Sequence, residues 1–433
     1  MSPTLLGLLG LLLMLILLAA SLPVAFVMGL VGVLGFAAVI NTPAALAMLA
    51  ADLYDVLSNY GLTVIPMFVF MGQVCFHAGI SRKLFNAAYH WMGWLPGGLA
   101  MATVGACAAF GAICGSGPAT AATMTAVALP EMRRFSYSDT LASGVVAAGG
   151  GLGMLIPPSV VFIVYGVLTE QSIGKLFIAG ILPGLLVALL FCLVILAECL
   201  LDPAVGPAGP RFPLRARLAS LKGVAETLAL FALVMGGMFA GWFTPTEGAA
   251  VGAAGSVAVA AIVGRCRARM LWRAAQETIR TSCMVMIIVA GATVFGHFLA
   301  VTQIPGDLAA WLAALPLPAW MVLGLIVVFY LVAGCFVDAL ALIMLTIPIF
   351  YPVVLQLGYH PVWFGVVIVL VTMMGAITPP VGVNVYVVSG MERDLSLQTV
   401  FRGSLPFLAA LIAAVILLML LPGLATWLPD LVR

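Results

Sequence analysis

The stretch Gly115-Ser116-Gly117-Pro118-Ala119-Thr120 interrupts an apolar run that extends from Leu95 to Met132. Two glycines and a proline this close together do not sustain a helix. In hydrocarbon, backbone groups freed by a break have no water to bind, so a break is tolerated only where it is buried in protein or lines a wet cavity. Three more interruptions follow, at Ile156-Pro157-Pro158-Ser159, between Gly334 and Asp338, and at Thr378-Pro379-Pro380-Val381. The rest of the chain reads as a frame that holds these four breaks near the middle of a membrane.

Composition agrees with that frame. Of 433 residues, 64% are hydrophobic and 7% charged, whereas a soluble domain carries about 25% charged residues. The chain is therefore expected to be an all-α polytopic membrane protein. Its long Leu, Val, Ala and Gly runs exclude the alternating strands of a β-barrel. The eight cysteines are scattered, mostly within spans and with no CxxC, and read as small apolar packers. The first apolar run starts at Leu5 with no basic segment before it, so it reads as a span and not as a cleaved signal. No phosphate-binding loop and no cluster with metal-ligand spacing occurs, so neither an ATPase nor another enzyme is expected, and no nucleic-acid partner.

Prolines divide the chain into two matching halves. Pro130 and Pro352 lie 222 residues apart, as do Pro157 and Pro379, and Pro183 and Pro406 lie 223 apart. Each half reads span, span, surface helix, span, re-entrant hairpin, split helix, span. Five crossings per half is an odd number, so the second half enters the membrane upside down, the inverted repeat of secondary transporters. The first repeat is expected over 1–201, with scaffold spans in 1–94, hairpin and split helix in 95–170 and a span in 175–201. A cytoplasmic linker, 202–222, is rich in proline and arginine. The second repeat follows over 223–433, with scaffold spans in 223–300, hairpin and split helix in 318–390 and a span in 400–428. Arg82-Lys83, Arg133-Arg134, Arg211 to Lys222, Arg265 to Arg280 and Arg393 fall on one face of this topology. By the positive-inside rule that face is cytoplasmic and both termini lie outside. Lys175 is the exception.

Several segments together resemble the large membrane subunit of TRAP transporters. They are Gly115 to Thr120, Ile156 to Ser159, Tyr165-Gly166-Val167-Leu168-Thr169-Glu170, Gly174 to Gly184, Thr244-Pro245-Thr246-Glu247, and Thr378 to Asn384. The resemblance runs over essentially the whole chain. It implies a tripartite importer of the bacterial inner membrane, built from this permease, a small four-helix membrane subunit and an extracytoplasmic substrate-binding protein. It further implies sodium coupling, an elevator motion and organic acid substrates such as C4-dicarboxylates or sialic acids. Because the first span begins at once, the small subunit is expected as a separate polypeptide.

The residues of the breaks suit this chemistry. Helix N-termini at a hairpin tip offer unpaired N–H groups to a carboxylate, while unwound carbonyls and helix C-termini suit Na⁺. Candidate binding residues are Gly115, Ser116, Gly117, Pro118, Thr120, Pro157, Pro158, Ser159, Asp338, Thr378, Pro379, Pro380 and Asn384, with Na⁺ near Ser116 and Thr378. Gly-Ser-Gly-Pro alone is more often a helix kink or a tight packing site; its partner in the second half favours a binding site. Three roles fit Asp338: cation ligand, proton relay, or N-cap of a half-helix. Asn384 fits either a substrate ligand or a partner for freed carbonyls. Glu247 reads as a capping charge, and His77 and His297, near span ends, receive no role. A stand-alone sodium- or proton-coupled organic anion carrier, working without a binding protein, is the alternative.

Overall fold

In a computed structural model that describes residues 2–20, 22–307 and 318–431, every regular element is helical. Ser2 opens α1 (Pro3–Ala19) and Pro23 stands at the cap of α2 (Val24–Val39). Asn41 caps the surface helix α3 (Thr42–Ser58) by accepting from the Ala44 N–H at 2.8 Å. A 3-10 turn leads into α4 (Val64–His77). Next comes α5 (Ile80–Met92), an amphipathic helix the sequence reading passes over, which buries Ile80, Leu84, Phe85 and Ala87. The first hairpin is α6 (Gly98–Cys114) and α7 (Gly117–Arg134). The split helix is α8 (Asp139–Gly150), a single turn α9 (Leu152–Leu155), and α10 (Val160–Thr169) beyond the break. The long α11 (Ile173–Leu201) ends the repeat.

The second half of the linker is itself a helix, α12 (Leu214–Lys222), bent by 60° from α13 (Ala225–Phe239). Thr244 and Glu247 form a reciprocal capping box at the start of α14 (Pro245–Ile262). From Ala268 on, the basic segment and the span after it are one continuous helix, α15 (Ala268–Thr302). The second hairpin is α16 (Ala319–Gly334) and α17 (Ala339–Gln356), and the second split helix is α18 (Pro361–Gly375) and α19 (Val383–Met391). The last elements are α20 (Leu397–Leu420) and α21 (Gly423–Leu431).

Small residues let the repeats lock together. Gly32 on α2 approaches α15 so closely that an added Cβ would sit 2.9 Å from the Phe295 nitrogen. In the mirrored contact, a Cβ on Gly252 of α14 would sit 2.7 Å from the Met71 sulfur of α4. These close approaches are how helices associate where lipid is as apolar as their side chains. Another contact between the repeats sets α8 of the first on α20 of the second through Gly144 and Gly403. Two histidine–carboxylate contacts repeat the symmetry. His77 on α4 pairs with Glu277 on α15 at 3.3 Å, and His297 on α15 pairs with Asp52 on α3 at 2.9 Å. The outer face is a lipid surface, with Leu185, Leu189 and Leu193 of α11 exposed at helical spacing.

Candidate substrate and ion site

Each hairpin turns on residues that cannot continue a helix. Gly115 takes a left-handed φ of 65°, and Ser116 is the extended N-cap of α7. In the second repeat Asp338 is the N-cap of α17. The Ser116 hydroxyl makes no capping bond, whereas the Asp338 carboxylate accepts from the Leu340 N–H at 3.1 Å. The Thr120 hydroxyl donates to the Ser116 carbonyl at 2.7 Å and thereby steadies the first tip.

Each tip is tied to the split helix of its own repeat. The Gly115 carbonyl accepts from the Val160 N–H, and the Cys335 carbonyl from the Gly382 N–H, both at 3.3 Å. The Pro157-Pro158 and Pro379-Pro380 bonds are both cis. Side-chain hydroxyls satisfy carbonyls that the breaks free. Ser159 donates to the Met154 carbonyl at 2.5 Å, and Thr378 to the Met374 carbonyl at 2.7 Å. The backbone at both breaks is thus largely satisfied from within, as the absence of water in hydrocarbon requires.

The two tips border one cavity of about 290 Å³. Gly115, Ser116, Gly117, Pro118 and Asp338 line it together, facing Val69 and Gln73 of α4 and Thr281, Met284 and Val285 of α15. Asp338 is the one charged side chain among the described lining residues. Beside it a hollow of about 10 Å³ is bordered by Pro118, Asp338, Thr372 and Asn384, which is close to the room one water requires. Asn384 is fully buried; its Nδ2 donates to the Ala147 carbonyl of the other repeat at 3.0 Å, and its Oδ1 has no partner among the described residues.

Several expected residues stand outside the cavity. Pro158 borders a separate hollow with Met71 and Cys75, and Pro157 lines neither space. Pro379, Pro380 and the Thr378 hydroxyl are likewise absent from the lining. Thr120 and Ser159 hold the backbone of the breaks from behind. Conversely, Gln73 and Thr281 escaped the sequence reading. Gln73 was visible as the one amide in the apolar run from Val64 to Phe76, but only packing brings it to the tips.

Two repeats whose hairpin tips meet at one cavity, each tied to its own split helix, are the architecture of a secondary transporter. The family described as "Tripartite ATP-independent periplasmic transporter, DctM component" matches residues 11–424, and the chain belongs to that family, as a TRAP large permease subunit. It is 38% identical to the C4-dicarboxylate TRAP transporter large permease protein DctM of Pseudomonas aeruginosa, over 90% of this chain and 91% of that one. It is 33% identical to the sialic acid TRAP transporter large permease protein SiaM of Vibrio cholerae, over 96% of each chain. Among solved structures it resembles the YdaH transporter of Alcanivorax borkumensis, with TM-score 0.60 and 14% identity over 89% of this chain and 90% of that one. It also resembles MtrF of Neisseria gonorrhoeae, with TM-score 0.56 and 14% identity over 87% and 83%. At that identity the likeness concerns the fold.

Proposed function

We propose that the protein is the permease of a sodium-coupled, binding-protein-dependent importer of organic acids in the bacterial inner membrane. The observation that carries this reading is that Ser116 and Asp338, the N-caps of α7 and α17, border one cavity from opposite repeats. The N-terminus of α7 has no side-chain cap and is free to receive a carboxylate. A carboxylate crossing a low-dielectric layer needs its charge balanced, and co-bound Na⁺ supplies that balance. Na⁺ binds near Ser116 and near the backbone carbonyls of the break at Thr378, with Asp338 and the Asn384 Oδ1, which has no partner among the described residues, as further oxygens. Hairpins and split helices move together as an elevator against the scaffold of α2, α4, α14 and α15. The linker 202–222 faces the cytoplasm and both termini face outside. A small four-helix subunit and an extracytoplasmic binding protein complete the transporter; the relatives' substrates make C4-dicarboxylates and sialic acids the first candidates.

Reconstituted liposomes test the reading. Uptake is expected to need outside Na⁺ and an added binding protein. Robust uptake on a pH gradient, with neither sodium nor binding protein, would instead identify a stand-alone carrier. A probe at Ala208 reached from outside intact cells by an impermeant reagent would reverse the orientation.

A further inference from the structure

Gln73 is half-buried, lines the cavity, and has no hydrogen-bond partner among the described residues. Its amide is half-exposed at the cavity and offers both a donor and an acceptor to what fills it. Its place along α4 is toward the basic end of that helix. Gln73 is one turn from His77, near the helix end where Arg265 donates to the Ala78 carbonyl at 3.2 Å. Thr281, across the cavity, follows Arg280 on α15. Both therefore border the cavity on the side of the basic face. They also belong to scaffold helices, whereas Ser116 and Asp338 belong to the hairpin tips.

The inverted repeat supplies the counterpart of Gln73. His77 and His297, each paired with a carboxylate of a surface segment, lie 220 residues apart. Gly32 and Gly252, each pressed on a span of the opposite repeat, lie 220 apart as well. The same spacing matches Gln73 with Thr293 on α15. At present the first hairpin tip rests on α4, where a Cβ on Gly72 would lie 2.9 Å from the Cys114 Cα. When the repeats exchange conformations, the second tip takes that place on α15, and Thr293 comes to the cavity wall on the opposite face.

We propose that Gln73 is a substrate ligand lent by the scaffold only while the cavity opens to the basic face, and that Thr293 replaces it when the cavity opens to the other face. The inference rests on the alternating-access reading given under Proposed function. It has a chemical consequence. Substrate meets an amide, both donor and acceptor, on one side and on the other a single hydroxyl, which at present donates to the Val289 carbonyl at 3.0 Å, so the two faces select differently.

The test uses the full chain, reconstituted in one known orientation with its small subunit and binding protein, and succinate as the probe. The readout is the ratio of half-saturating succinate at the basic face to that at the opposite face. Gln73→Ala is expected to raise this ratio about tenfold, as for losing one hydrogen bond to a charged group. Gln73→Asn is expected to restore part of the loss, and Thr293→Val to lower the ratio. A ratio that Gln73→Ala leaves at the wild-type value, in protein that transports, overturns the proposal. Labelling with an impermeant maleimide decides it without any substrate. Gln73→Cys is expected to react from the basic face alone and Thr293→Cys from the opposite face alone. Reaction of both from the same face overturns the proposal. Wild-type protein that moves no organic acid on a sodium gradient counts against the transport reading, and the labelling outcome then still judges the placement of Gln73 and Thr293.

Discussion

Gly375 faces Gly334 so closely that a Cβ on Gly375 would lie 2.5 Å from the Gly334 carbonyl carbon. The first repeat makes the matching contact, where a Cβ on Gly111 would lie 2.6 Å from the Gly153 Cα. In each repeat a hairpin and a split helix thus meet backbone to backbone beside the break. Backbone cannot swing aside as a flexible side chain can. Gly375→Ala is therefore expected to destabilise the fold by about 1–3 kcal/mol, the usual range for overpacking a tight site. A lower Tm in detergent, with a parallel loss of uptake, is the expected result; an unchanged Tm would refute the close approach.

Ser116 and Thr378 are expected to behave differently on mutation. The Thr378 hydroxyl is committed to the Met374 carbonyl at 2.7 Å, while the Ser116 hydroxyl makes no capping bond and borders the cavity. Thr378→Val should lower stability by about 1 kcal/mol, one net hydrogen bond. Ser116→Ala should leave Tm near wild type and raise the Na⁺ concentration for half-maximal uptake. Thermal melts and sodium titrations of uptake separate the two; equal effects on both readouts would contradict the assignment.

Asp338 caps α17 and also borders the cavity, so charge and cap are separable by substitution. Asparagine is as good an N-cap as aspartate, whereas alanine forfeits about 1 kcal/mol. Asp338→Asn is expected to keep Tm close to wild type while raising the sodium requirement, and Asp338→Ala to lower both stability and uptake. If Asp338→Asn abolishes pH-driven uptake and spares sodium dependence, the residue serves as a proton relay.

The two His–carboxylate pairs are unequal in burial. The Asp52 side chain is 7% exposed and its partner His297 51%, whereas Glu277 is 49% exposed beside His77 at 17%. Removing His297 leaves a buried carboxylate unpaired, which costs about 1–3 kcal/mol or more for a charged group. Removing His77 leaves a carboxylate that water reaches, and exposed pairs contribute roughly 0–1 kcal/mol. His297→Ala is therefore expected to lower Tm more than His77→Ala. The reverse order would show that α3 is held by packing alone.

Much of this protein was legible in its sequence because its decisive features are local. Glycine and proline break helices through their own backbone chemistry, so Gly115 to Pro118 and the two Pro-Pro pairs marked the tips and splits without tertiary information. The constant spacing of prolines pointed to a repeat, and the matched contacts of Gly111–Gly153 and Gly334–Gly375 follow it. Capping was equally local: Thr244 and Glu247 lie three residues apart and form the expected box.

What the tertiary structure decided depends on contacts between distant segments. Gln73 and Thr281 lie about 200 residues apart in the chain and meet only because α4 and α15 both flank the hairpin tips. Thr378 looked like a free hydroxyl, but the turn at the break aims it at Met374, and nothing in composition reveals where a rotamer points. Asn384 spends its amide on Ala147, a carbonyl of the other repeat, so one half of its side chain is structural. Hydrophobic patterning records which residues avoid water and where the backbone breaks. It does not record which polar groups have already paired within the fold, and that is what separates the residues lining the cavity from those that hold its walls.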